Sequence, residues 1–161
     1  MTDSPIRNLR KELRSLERQV ELSLMTQADC YGVTPAQCHL LLEVGEAQEA
    51  SVGELASLLE LDASTLSRTV DGLVKAGFLS RKEDPANRRR QLVALSEAGR
   101  EKADSINDIC DRYYAGLFAS LTGNEAATLC EALPLLLKAL RSWRLSDEGR
   151  SCCAGKAEVT E

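Results

Sequence analysis

The chain has 161 residues, 20 of them basic and 25 acidic, for a formal net charge of −5, and 43% are hydrophobic while only 4% are aromatic. That length holds one domain, or one domain with an extension, with apolar residues enough for a core of Leu, Val and Ala of the kind helical proteins build. No apolar run is long enough to span a membrane, and the opening MTDSPIRNLRKELR has no apolar signal segment, so no membrane partner and a cytoplasmic location are expected.

Ser4 and Pro5 read as a helix N-cap and first helical residue. Ile6, Leu9, Leu13, Leu16, Val20 and Leu24 then recur every three or four residues, a narrow apolar stripe on a long helix otherwise rich in Arg, Lys and Glu. Thr34, Pro35, Ala36 and Gln37 precede a second helix. Ser51 with Glu54 forms a capping box, so a third helix starts at Val52, and Val52, Leu55, Ala56 and Leu59 form its apolar face. The run Leu61, Asp62, Ala63 interrupts it, and the Asp62 carboxylate can cap the next helix. That fourth helix carries Leu66, Val70, Leu73 and Val74 on one side, with Ser64, Thr65, Ser67, Arg68 and Thr69 on or near the other. Gly77 ends it.

Phe78 to Lys82 and Gln91 to Leu95 alternate apolar with polar, as two strands of a half-exposed hairpin do. Between them lie the turn residues Asp84, Pro85, Ala86 and Asn87, and then Arg88, Arg89 and Arg90 at the hairpin tip. Helix, tight turn, helix and basic hairpin in this order form a device for reading double-stranded DNA. The second helix enters the major groove, and the hairpin reaches the neighbouring groove. Ser64, Thr65, Ser67 and Arg68 suit base edges and phosphates, and Arg88, Arg89 and Arg90 suit the backbone. Net negative charge is compatible with this. Residues 62–90 hold seven basic side chains (Arg68, Lys75, Arg81, Lys82, Arg88, Arg89, Arg90) against four acids (Asp62, Asp71, Glu83, Asp84), leaving the segment at +3.

Beyond the hairpin, Ser96 opens a helix expected to run to about residue 120. Thr122 with Glu125 is a further capping box, and Leu129, Leu133, Leu136, Leu137, Leu140 and Trp143 form the stripe of a last helix containing Pro134, which is expected to kink it. Two terminal helices with apolar stripes point to burial against a second copy of the chain, which would also supply the second half-site reader.

The residues Thr34-Pro35-Ala36-Gln37, Leu55-Ala56 with Leu58 and Leu59, Asp62-x-Ser64-Thr65-Leu66-Ser67-Arg68-x-Val70-Asp71-x-Leu73, Gly77-Phe78-Leu79, Asp84-Pro85-x-Asn87-Arg88-Arg89 and Leu95-Ser96-x-x-Gly99 together resemble the MarR family of bacterial transcriptional regulators. The resemblance extends from the first helix to about Trp143 and is densest from Thr34 to Gly99. It implies a winged helix-turn-helix domain, an obligate homodimer, palindromic operators, and repression relieved by a small molecule, a metal or an oxidant. It also implies that Arg89 pairs with Asp62 and fixes the wing. One departure is Asn87, where the family carries Asp. The expected fold is mainly α with a small β-hairpin. Residues 1–33 form an N-terminal dimerisation helix, 34–99 the winged helix-turn-helix domain, 100–145 the C-terminal dimerisation helices and 146–161 a mobile cysteine-containing tail.

Six cysteines are more than such a core needs: Cys30, Cys38, Cys110, Cys130, Cys152 and Cys153. Cys110 and Cys130 fall in helical patterns as small core residues. Cys152 and Cys153 lie in a polar tail, and adjacent thiols suit a soft ion or reversible oxidation. Cys30 and Cys38 bracket the junction of the first two helices, beside the single histidine, His39. The expected effector site therefore uses Cys30, Cys38, Cys152 and Cys153, with thiolate-bound arsenite or a soft metal ion as its ligand. The alternative is a small aromatic effector with incidental cysteines. No cysteine spacing matches a recognised metal motif. An enzyme handling thiols or metalloids is the competitor from another class, but no nucleotide loop or nucleophile–base arrangement supports it, and no catalytic residue is assigned. A second competitor, a protein-interaction adaptor that makes no DNA contact, is disfavoured by Arg68 and the wing arginines.

Overall fold

The computed structural model describes residues 4–151, with the side chains of all but 26–31, 88, 89, 150 and 151. The order of elements is α1 (Pro5–Tyr31), α2 (Pro35–Ala47), β1 (Glu49–Ser51), α3 (Val52–Leu58), α4 (Ala63–Lys75), β2 (Leu79–Asp84), β3 (Asn87–Leu95), α5 (Glu97–Ala119), α6 (Gly123–Leu145) and α7 (Asp147–Ser151). The architecture is mainly helical with one small sheet, as the apolar periodicities require. The chain divides into two compact units, residues 1–111 and 112–161.

In the first unit, local signals set the helix boundaries. Thr34 and Ser51 each close a capping box, with Gln37 and Glu54, at the starts of α2 and α3. Gly77 follows α4 with φ of +80°, a conformation a side chain would strain, and it lets the Phe78 amide return to the Leu73 carbonyl at 2.9 Å. The sheet has the order β1-β3-β2 and is antiparallel throughout. The hairpin of the sequence reading is thus one part of a three-stranded sheet. Glu49, Ala50 and Ser51 pair with Ala94, Val93 and Leu92, a strand too short to leave an alternation in the sequence. The hairpin is also longer than its apolar alternation. Only Pro85 and Ala86 turn the chain, so Arg88, Arg89 and Arg90 lie within β3 and not in a loop at the tip. Pairing runs from Leu79 opposite Leu95 to Glu83 opposite Gln91 and resumes with Asp84 opposite Asn87, so the three arginines fall at the irregularity between those pairs.

The core gathers Leu40, Leu41 and Val44 of α2, Leu55 of α3, Leu66, Val70 and Leu73 of α4, Leu79 and Val93 of the sheet, and Ile106 of α5. The recognition helix α4 is therefore gripped along one whole face. Its far end is tied to the next helix through Ser96. The Ser96 amide donates to the Phe78 carbonyl at 3.0 Å. Its Oγ donates to the Gly77 carbonyl at 2.6 Å and accepts from the Gly99 amide at 2.9 Å. Along α1, Ile6, Leu9, Leu16 and Val20 are all exposed.

In the second unit, Thr122 and Glu125 close the capping box of α6, a continuous 23-residue helix with Pro134 inside it and no buried residue. Leu129, Leu133, Leu137, Leu140 and Trp143 of the expected stripe are all exposed. The segment expected as tail begins with the short helix α7, where Ser146 Oγ accepts from the Gly149 amide at 3.0 Å.

Candidate nucleic-acid interface

The start of α4 is built by Asp62. Its Oδ1 accepts from the backbone amides of Ser64 (2.9 Å) and Thr65 (3.1 Å) and from the Ser64 hydroxyl (2.5 Å). These bonds, the Ser64 hydroxyl first, hold the Asp62 carboxyl below its ordinary range. The Ser64 hydroxyl is thus engaged by the cap. Opposite the buried Leu66, Val70 and Leu73, the helix exposes Thr65 and Arg68, with Ser67 and Thr69 half-buried between. Thr69 Oγ1 donates back to the Thr65 carbonyl at 3.4 Å. A hydroxyl and a guanidinium on the outer face of the first two turns are the donors and acceptors a base edge meets.

The wing is tied down by ion pairs. Arg81 Nη2 of β2 donates to Asp71 Oδ1 of α4 at 2.7 Å. Lys82 of β2 pairs with Glu49 of β1, and Arg90 of β3 pairs with Glu54 of α3. The Ala86 amide donates to Asp84 Oδ1 at 2.8 Å and shapes the turn. Three of the seven basic residues counted in the sequence are therefore held by acids of the fold, two of which, Glu49 and Glu54, lie outside the segment counted. The Glu54 carboxyl is lowered to about 2, first by the Arg90 hydrogen bond and then by Ser51. Sequence reading took Glu54 only as a cap and missed Glu49. Their signal is weak, because each meets its partner across dozens of residues of chain. The side chains of Arg88 and Arg89, and with them the Asp62–Arg89 pair, lie outside the described residues. The described partners of Asp62 are Ser64 and Thr65.

Of the expected effector cysteines, only Cys38 has a described side chain. Cys152, Cys153 and the side chain of Cys30 lie outside the described residues. Cys38 is buried, at 5% exposure, and burial followed by the proximity of Cys110 pushes its thiol pKa up. Cys110 packs half-buried against the same core, whereas Cys130 is exposed on α6. His39 is exposed. No group of three or more metal-ligating side chains occurs among the described residues. A separate cavity of about 330 Å³ opens between the end of α2, Leu95 and α5. Leu42, Val44, Leu95 and Ala103 give it an apolar wall, and Glu46, Arg100 and Asp104 a polar one.

A helix-turn-helix whose second helix offers Thr65 and Arg68, followed by a strapped basic hairpin, defines the class of winged helix-turn-helix DNA-binding regulators. Comparison with known proteins gives the same class and narrows it. Residues 31–90 match the model of the MarR family. The multiple antibiotic resistance protein MarR of Escherichia coli (strain K12) is 30% identical over 98 residues, which cover 60% of this chain and 68% of that protein. The uncharacterized HTH-type transcriptional regulator YdgJ of Bacillus subtilis (strain 168) is 27% identical over 104 residues, covering 65% of this chain and 63% of that one. A crystal structure of a cysteine-to-serine mutant of E. coli MarR complexed with operator DNA superposes with a TM-score of 0.71 at 26% identity, covering 82% of this chain and 95% of that one. The chain belongs to the MarR family, and it is a helix-turn-helix transcriptional regulator, not an enzyme. No helix among the described residues is long and apolar enough to cross a membrane.

Proposed function

We propose that the protein is a homodimeric repressor that binds a palindromic operator in double-stranded DNA and leaves it when an effector binds. The carrying observation is the two-faced α4, gripped by the core through Leu66, Val70 and Leu73 and presenting Thr65 and Arg68 outward. The E. coli relative solved with operator DNA supports the partner. Arg68 and Thr65 read base edges, Ser67 and the Ser64 end of the helix approach the backbone, and Arg88 and Arg89 contact phosphates. The exposed stripes of α1 and α6 are covered by the second copy, which sets two recognition helices one turn of DNA apart. Selection from a random pool of DNA duplexes tests this: an enriched palindrome is expected, and enrichment of none, or of an asymmetric single half-site, contradicts it.

For the effector, the cavity beside Arg100 favours a small organic molecule. Its volume of about 330 Å³ lies in the range of small-ligand pockets. Burial of Cys38 as a neutral thiol weighs against it as a reacting group. The thiol route, with arsenite, a soft metal or peroxide acting at Cys152, Cys153 and Cys30, remains the second reading, because adjacent thiols suit soft ions. Release from the selected duplex on adding arsenite, peroxide or an aromatic acid separates the two. A thiol sensor loses its response in a Cys152→Ser/Cys153→Ser variant, whereas an organic-ligand sensor responds to the acid in both proteins.

A further inference from the structure

Arg90 is placed differently from what its membership of an arginine run implies. β1 and β3 pair with Ser51 opposite Leu92, and continuing that register by two residues brings Arg90 beside the first turn of α3. There its Nη2 meets Glu54 Oε2, while its buried Nε lies 3.6 Å from Asp84 Oδ2. Glu54 is itself immobilised. Its Oε2 accepts from the Ser51 amide at 2.9 Å and the Ser51 hydroxyl at 3.0 Å, and the Glu54 amide donates back to Ser51 Oγ at 3.3 Å. A carboxylate fixed in a capping box is a pre-organised anchor for a guanidinium. Turning Arg90 outward to a phosphate would leave the Glu54 and Asp84 carboxylates without this counter-charge beside the negative charge of DNA.

We propose that Arg90 is a positioning residue for DNA binding: through Glu54 it straps the wing to the first turn of α3 and holds the wing at its working angle without touching the duplex. The inference rests on the DNA-binding reading above, and it takes Arg90 out of the set of phosphate contacts while leaving Arg88 and Arg89 in it.

The test uses the duplex that the wild-type protein selects from a random pool, with Arg90→Ala, Glu54→Gln and the double variant. Gln at this position keeps the capping box, so the substitution removes the charge pair and spares the helix start. The strap predicts that each single variant binds about five- to tenfold more weakly and that the double variant is no weaker than either, because the two changes break one interaction. It also predicts that the slope of log affinity against log salt stays at the wild-type value in all three. A phosphate contact predicts the opposite pattern: the slope falls by about one in Arg90→Ala. Glu54→Gln then binds as well as wild type or better, and that pattern overturns the strap. If the wild type selects no duplex, the DNA-binding reading itself fails, and amide hydrogen exchange over residues 79–95 decides the strap alone. Faster exchange in both single variants supports it, and unchanged exchange overturns it.

Discussion

Glu54 performs two tasks with one carboxylate, closing the capping box of α3 and holding Arg90. Its carboxyl pKa is lowered to about 2 from an ordinary value of 4.5. A carboxyl with a lowered folded pKa contributes in full above its ordinary value, and the contribution is lost as pH falls through the folded value. Wild type should therefore lose more stability than Glu54→Gln between about pH 4.5 and pH 2, as measured by thermal unfolding at stepped pH. Parallel curves would show that the pair does not couple to folding. Cys38 runs the other way, since its thiol is held neutral by burial. Brief treatment of the native protein with iodoacetamide should label the exposed Cys130 well before Cys38, read by peptide mass spectrometry. Arg68→Ala should cost about 1–3 kcal/mol of operator binding and relax discrimination at one base position. Equal affinity for every duplex variant would remove Arg68 from base reading.

Among the elements, those written by neighbouring residues were legible and those written across the chain were not. The caps at Ser51, Asp62 and Thr122 and the stop at Gly77 each need only a few consecutive residues, and the sequence placed all four. β1 escaped because three residues carry no periodicity, and α7 because four polar residues and a glycine look like tail. The outward extension of β3 escaped because its arginines carry no apolar alternation and fall at the register irregularity between the Glu83–Gln91 and Asp84–Asn87 pairs. The acidic partners of the wing were likewise illegible. Arg81, Lys82 and Arg90 stand among basic residues in sequence, but Asp71, Glu49 and Glu54 reach them only in the fold. One position couples two elements closely enough for a sharp expectation. A Cβ on Gly99, in the first turn of α5, would sit 1.9 Å from the Phe78 carbonyl oxygen at the base of the wing. Backbone must shift to admit it, so Gly99→Ala should destabilise the fold by about 3 kcal/mol or more, measured by urea unfolding. A change under about 0.5 kcal/mol would mean that the α5–wing contact is loose.

For the molecule as a whole, the exposed stripes are the dominant fact. Leu16 on α1 and Leu140 on α6 are 48% and 47% exposed, and no residue of α6 is buried. Contiguous exposed apolar surface of this kind marks an interaction site. Leu16→Glu and Leu140→Glu should each lower the dimer fraction in sedimentation equilibrium and lower the unfolding temperature together, because assembly and folding are linked by mass action. A wild-type protein that sediments as a stable monomer across the accessible concentration range would contradict the dimer. Leucine spacing marked most of these stripes but not the exposed Leu22, Met25, Leu135 and Leu145, and nothing in that spacing says which second surface covers them.

The Ser96 hydroxyl gives the domain a mechanical property of its own. One oxygen atom joins the carbonyl of Gly77, just past α4, to the amide of Gly99 in the first turn of α5. A twist of α5 is therefore delivered to the base of α4 through a linkage with almost no slack. α4 has 13 residues, so it is about 20 Å long at 1.5 Å per residue. Pivoted at its base by about 10°, such a rod swings its tip by roughly 3.4 Å, one base-pair step. Thr65 sits near that tip, whereas Arg68, the sixth of the 13 residues, lies at mid-length and moves about half as far. A displacement too small to notice at the foot of the lever thus puts its reading end one letter out of frame.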